Sequence, residues 1–135
     1  MLSFERREPM GTILLVDDNP LRASMRKSLL EGTAPQVVRA TNAAEAFCLI
    51  ESPEFAPALL LVVTEHLMQD IAGVDFAAEV RQRVPHVPVL ILGGNPGAEN
   101  AYRGIAGIYH SSTKSPQDLR TLVNRLVTLN ERQYA

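Results

Sequence analysis

Residues 12–20 read Thr-Ile-Leu-Leu-Val-Asp-Asp-Asn-Pro, a sequence that changes from apolar to acidic between two neighbouring positions. Five apolar or β-branched residues in a row are typical of a strand that is covered on both faces. The run ends at Asp17 and Asp18. Asn19 is a residue type that caps helices, and Pro20 is a type favoured at the first helical position. The stretch therefore predicts a buried strand that leads through an acidic pair directly into a helix.

Short apolar runs and helical patterns continue to alternate along the chain. Further strands are predicted at 36–40, 58–64, 87–92 and 106–110. Helices are predicted between these strands and from Pro116 onward, although 98–105 has room for a short helix only. Leu21, Met25 and Leu29 recur every fourth residue, and this spacing predicts that they face the core. Five βα units in succession predict an α/β fold. We expect a flavodoxin-like, doubly wound, five-stranded parallel sheet of order 2-1-3-4-5, with helices on both faces in a three-layer sandwich.

Length and composition limit the class of protein. The chain has 135 residues, 46% hydrophobic and 21% charged, which suits one globular domain. We predict a domain over 11–131, with tails at 1–10 and 132–135. A formal net charge of −2 argues against a nucleic-acid-binding surface, and the longest apolar runs are too short to cross a membrane. The opening residues lack the apolar core of a secretory signal, so a cytoplasmic location is expected.

Four residues invite a metal or redox interpretation that their surroundings do not favour. Cys48 is the single cysteine, so an internal disulfide is excluded, and its apolar neighbours predict a small buried side chain. His66, His86 and His110 each lack a second histidine at metal-ligand spacing. We expect ordinary surface residues at these three positions.

Acidic residues follow two strands that are neighbours in the predicted sheet. Asp17 and Asp18 end the first strand, and Glu65 ends the third. The carboxyl ends of parallel strands share one edge of the sheet, so three carboxylates are expected to converge there. Like charges at close range need a cation among them, and oxygen ligands suit Mg²⁺. In the alternative interpretation, Asp18 and Asn19 only cap the helix, and Glu65 faces solvent.

Four stretches in the correct order resemble one family. The chain is similar to the response-regulator receiver domain of two-component signalling, with its CheY-like fold, over roughly 11–130. The first strand with its acidic pair is ILLVDDNP at 13–20, and the third strand with its loop is LLLVVTEHLMQDIAG at 59–73. The fourth strand is PHVPVLILGG at 85–94, and the start of the last helix is SPQDL at 115–119.

The resemblance implies a site for phosphoryl transfer, from which this chain departs. Receivers accept a phosphoryl group from a histidine kinase onto an aspartate at the end of the third strand, beside Mg²⁺. Counting back from Gly73 places Glu65 at that acceptor position. Gly93 stands where a Ser or Thr hydroxyl ends the fourth strand. The phosphate-binding lysine aligns with Ser112, while Lys114 lies two residues later and would have to reach back.

These departures leave two interpretations of Glu65. Its extra methylene moves the carboxylate outward by roughly 1.5 Å, which disfavours in-line transfer but could mimic a phosphorylated aspartate. A carboxylate carries only about half the charge of a phosphoryl group, and Gly93 has no side chain to bind it. A receiver that stays in one conformation is therefore favoured over a permanent mimic.

The function expected from the sequence is a stand-alone signalling module, not an enzyme, that acts by protein docking and independently of phosphorylation. Its expected partners are a histidine kinase or another signalling protein, or a second copy of itself. One alternative is a Mg²⁺-dependent phosphatase or phosphotransferase of haloacid-dehalogenase-like layout with Asp17 as nucleophile, although Asn19 stands where such enzymes carry an acid. A flavodoxin-like cofactor binder is a further alternative, but the acidic first loop would repel a phosphate.

Overall fold

A computed structural model describes residues 11–94 and 96–134 of the chain. The predicted tail at 1–10 lies outside the described residues, as does Ala135 at the other end. The last helix continues to Tyr134, past the predicted domain limit at residue 131. In the described part of the chain, no helix combines the length and the apolar character needed to span a bilayer.

Five parallel strands form one sheet, and their order β2-β1-β3-β4-β5 confirms the predicted topology. Three of the five, β1, β3 and β4, are rich in Val, Leu and Ile, as expected of strands covered on both faces. β4 and β5 each begin two residues later than the sequence pattern predicts. The strands are β1 Thr12–Val16, β2 Gln36–Ala40, β3 Leu59–Glu65, β4 Val89–Leu92 and β5 Ile108–Ser111.

Four α-helices connect and follow these strands in the described residues: α1 Pro20–Leu30, α2 Ala43–Ile50, α3 Gly73–Arg83 and α4 Pro116–Tyr134. Asn19 and Asn42 cap α1 and α2, because their side chains accept backbone N–H groups of the first turns. Only a 3₁₀ turn, Ala98–Ala101, lies between β4 and β5. The segment predicted to hold only a short helix therefore lacks an α-helix.

The hydrophobic core lies on both faces of the sheet. Leu14 and Val16 of β1 pack with Phe76 against α2 and α3. Ile13 and Leu15 point to the opposite face, where α1 and α4 cover them. This alternation follows from the two-residue period of a strand, and it produces the predicted three layers.

The outward face of α1 differs from the prediction. Leu21 and Met25 are 73% and 67% exposed, whereas Ala23 and Leu30 are buried. The i+4 pattern of apolar residues therefore marks a solvent-facing stripe, so the prediction that it faces the core is wrong at these two positions. The neighbouring stripe, which carries Arg22 and Arg26, points to the carboxyl edge of the sheet. Cys48 is also exposed rather than buried.

A pair of identical substitutions on α1 tests this orientation. Leu21→Ala is expected to change the free energy of unfolding by less than about 0.5 kcal/mol, because the side chain is largely in water already. Leu30→Ala on the same helix is expected to cost about 3 kcal/mol, because it leaves a cavity in the core. Urea unfolding of both variants provides the measurement, and equal losses would contradict the orientation.

Candidate functional site

The ends of β1 and β3 bring three carboxylates to one edge of the sheet. Val16 pairs with Thr64 in the register of these strands, so Asp17 and Glu65 follow at neighbouring positions. Asp18 lies at the same edge. It accepts a hydrogen bond, at 3.0 Å, from the backbone N–H of Gln69 in the loop after β3. We call these three carboxylates the acidic site.

The carboxylate of Asp17 lies at the centre of a hydrogen-bond network and is fully buried. Arg22 donates to it from Nε and Nη2, with N–O distances of 2.7–3.1 Å. Arg26 Nη1 donates to Oδ2 at 3.0 Å, and the backbone N–H of Asn19 donates to Oδ1 at 3.0 Å. Arg39 binds the backbone carbonyl of Asp17 and not the carboxylate. Both carboxylate oxygens are therefore occupied by donors from within the chain.

The same two arginines link Asp17 to the other acids. Arg26 Nη1 also donates to Glu65 Oε1 at 2.7 Å, so one guanidinium bridges the ends of β1 and β3. Arg22 lies 3.3 Å from Asp18 Oδ1 and 3.7 Å from Glu65 Oε2. Two guanidinium groups of α1 therefore place positive charge among the three carboxylates.

These contacts shift the pKa values of both partners. Burial alone would raise the pKa of Asp17, but hydrogen bonds from Arg22 and the Asn19 amide, together with the charges of Arg22 and Arg26, lower it below its ordinary value. The hydrogen bond to Asp17 raises the pKa of Arg22 further, against the opposing effect of burial. The pair is therefore ionised over the whole physiological pH range.

Sequence reasoning did not single out Arg22 and Arg26, although a signal was present. Arg22 and Arg26 are four residues apart and so share one side of the predicted first helix, and Arg22 also follows Asp18, which precedes the helix, by four residues. Two basic residues at this spacing, directly after an acidic pair, indicate an internal ion-pair cluster.

Glu65 and Gly93 fit together across β3 and β4. Gly93 has φ +85°, and a Cβ built on it would lie 2.6 Å from Glu65 Oε2. The longer side chain at the acceptor position thus fills the space that a hydroxyl side chain at residue 93 would need. The two departures from the receiver pattern are sterically complementary.

Ser112 and Lys114 lie across a cleft from the acidic site. Both line the same cleft as Glu65 and Gly93, with a volume of about 790 Å³. No hydrogen bond or ion pair joins either side chain to another residue that the structure describes. Both side chains therefore face the cleft without an ion-pair partner among the described residues, and their role in binding a phosphoryl group stays a prediction.

Two of the three histidines belong to a cluster beside the site, so their interpretation as isolated surface residues is wrong. His66 Nδ1 is hydrogen-bonded to the hydroxyl of Tyr102, which is buried and has a pKa raised by that burial. The ring of His110 stacks on Tyr102, and its Nε2 contacts the carbonyl of Gly93 at 2.7 Å. The cluster holds together the ends of β3, β4 and β5.

Comparison with known proteins places this chain in a family. Residues 13–126 match the family described as response regulator receiver domain. A probable transcriptional regulatory protein, TcrX of Mycobacterium tuberculosis, is 25% identical over 123 residues, which cover 90% of this chain and 50% of that protein. The hydrogenase transcriptional regulatory protein HoxA of Cupriavidus necator is 28% identical over 105 residues, 76% of this chain and 20% of that protein. The chain thus spans half or less of these curated relatives.

A solved structure supports the fold. The receiver domain protein from Clostridium thermocellum superposes with a TM-score of 0.76 at 24% identity, covering 91% of this chain and 98% of that one. The family match, together with the parallel sheet and its acidic edge, identifies a receiver, a class of domain that in general serves signalling rather than catalysis. The chain belongs to the response regulator receiver domain family.

The residues at the acidic site do not fit the Mg²⁺ ion that receiver domains generally hold there. Mg²⁺ requires several oxygen ligands at close to ideal octahedral geometry. Asp17 Oδ1 instead accepts from Arg22 and Oδ2 from Arg26, and Glu65 Oε1 accepts from Arg26. No group of metal-ligating side chains suited to an ion is found among the described residues.

Proposed function

We propose that the chain is a cytoplasmic receiver module that signals by protein docking without being phosphorylated. Its partners are a histidine kinase or another signalling protein, or a second copy of the chain. The observation that carries the proposal is the fit between Glu65 and Gly93, because the glutamate occupies the space of the side chain that would detect a phosphoryl group.

The hydrogen bonds of Glu65 also support the proposal. Attack on a phosphorus atom requires a free lone pair on a correctly placed carboxylate oxygen. Glu65 Oε1 is held by Arg26 at 2.7 Å, and Oε2 points at Gly93. The ion pair with Arg26 restrains this carboxylate and lowers its nucleophilicity, although Oε2 keeps its lone pairs.

The phosphatase alternative is not favoured. Its nucleophile would be Asp17, whose side chain is completely buried and bound through both oxygens by guanidinium groups. Asn19 stands at the position of the second catalytic acid. Its side-chain oxygen instead caps α1 by accepting a hydrogen bond from the backbone N–H of Arg22. Neither group is available to a substrate.

Incubation with Mg²⁺ and acetyl phosphate tests phosphorylation directly. We expect the intact mass of the wild type to stay unchanged, while a receiver with an acceptor aspartate in the same reaction gains one phosphoryl group. Glu65→Gln provides the matched variant. Labelling of the wild type that is lost in Glu65→Gln would overturn the proposal.

A further inference from the structure

Two guanidinium groups lie where three carboxylates converge. Arg22 contacts all three members of the acidic site, and Arg26 contacts Asp17 and Glu65. Three negative charges therefore face two positive charges, in a cluster whose central carboxylate is fully buried. Such a cluster neutralises most of its own charge.

We infer that Arg22 and Arg26 replace the divalent cation, so that this receiver does not bind Mg²⁺ at its acidic site. An incoming ion would have to displace the Arg22 guanidinium, which donates to Asp17 through two nitrogens, and compete with the positive charge of Arg26. The inference rests on the proposed function in one respect: only a receiver that transfers no phosphoryl group can function without the ion.

The local structure of α1 keeps the arginines in place. Pro20 and the Asn19 cap fix the start of the helix directly after the acidic pair. Arg22 and Arg26 are then one turn apart on the same side of α1, and both point at the sheet edge. Their side chains are only partly exposed, and each makes at least two ionic contacts. To release Asp17, both side chains would have to leave their partners together.

Titration with Mg²⁺, followed by calorimetry and by amide NMR, tests the inference. The wild type is expected to show no saturable binding and no shifts centred on residues 17, 18 and 65. In Arg22→Met/Arg26→Met the carboxylates become available, and saturable Mg²⁺ binding is expected, roughly tenfold or more tighter than the upper limit set by the wild-type titration. The control Arg83→Met/Arg120→Met removes the same two charges elsewhere and should behave like the wild type.

Each outcome is decisive. Saturable Mg²⁺ binding to the wild type at residues 17, 18 and 65 overturns the inference, whatever the variants do. A folded double variant that binds no better than the control overturns it as well. If the double variant does not fold, the single variants Arg22→Met and Arg26→Met must each gain partial affinity. Failure of the proposed function is distinguishable, because it is detected as a phosphoryl group on Glu65 in the mass measurement.

Discussion

Replacing Asp17 by alanine is expected to lower the free energy of unfolding by about 3 kcal/mol, measured by urea unfolding at neutral pH. The substitution leaves Arg22 and Arg26 without their shared buried partner, and it removes the acceptor of the Asn19 amide. Loss of one partner from a buried ion pair costs about 3–5 kcal/mol. The lower end applies here, because Arg22 is partly in water and Arg26 keeps Glu65.

Asp18→Ala is the matched control for Asp17. It removes the same carboxylate group from the next residue. The Asp18 carboxylate is partly exposed, and its one contact with Arg22 is longer, at 3.3 Å. The expected cost is about 1 kcal/mol, mainly from the hydrogen bond to the Gln69 amide. Equal costs at the two positions would contradict the view that Asp17 is the centre of the network.

Acid unfolding is the second measurement on Asp17. Its pKa is lower in the folded chain than the value of about 3.9 for an unfolded aspartate, so its contribution to stability is present above that pH. The contribution is lost as the pH falls below about 4 and the carboxyl group becomes protonated. The difference in stability between the wild type and Asp17→Ala should therefore shrink on acidification, and a constant difference would contradict the ion-pair account.

The fold could be predicted because each strand has a recognisable apolar pattern in the sequence. The apolar runs at β1 and β3 are long enough to identify strands covered on both faces, and the Asn19-Pro20 pair indicates where α1 begins. Strand order follows from the rules for parallel sheets rather than from any single residue. The predicted start of β4 is two residues early, because the apolar run includes Val87, whose backbone N–H donates to the carbonyl of Val84 instead of joining the sheet.

The orientation of α1 could not be predicted from hydrophobic periodicity. The apolar stripe of Leu21 and Met25 lies next to the basic stripe of Arg22 and Arg26, and either could have faced inward. The choice depends on carboxylates that are supplied by β1 and β3, one of them 39 residues away from Arg26. A pattern that assigns every charge to solvent cannot detect a buried ion pair.

At the acidic site, the convergence of Asp17, Asp18 and Glu65 followed from strand order, but the identity of the neutralising cation did not. The role of Gly93 could also be predicted from the sequence only in part. Its lack of a side chain could be read from the sequence, whereas its close approach to Glu65 depends on where the glutamate side chain lies when it is bonded to Arg26.

Gly93→Ala is expected to destabilise the chain by about 3 kcal/mol, from two separable causes. A φ of +85° costs an L-residue about 1–2 kcal/mol. The added Cβ would also lie 2.6 Å from Glu65 Oε2, so the glutamate must move and weaken its 2.7 Å contact with Arg26. Urea unfolding of the single variant gives the sum of both effects.

Gly104→Ala separates the two causes. Gly104 has a similar φ of +78°, and a Cβ there would meet no atom within 4 Å, so this variant should carry the backbone cost alone. The excess cost at Gly93, about 1.5 kcal/mol, should disappear in the Glu65→Ala background, whereas the cost at Gly104 should not change. Equal costs for both glycine variants would show that Glu65 does not occupy the space over Gly93. If the excess is found, a hydroxyl side chain at residue 93 is compatible with the site only when Glu65 is shortened in the same variant. Placing a hydroxyl side chain at residue 93 alone would then leave the receiver less stable.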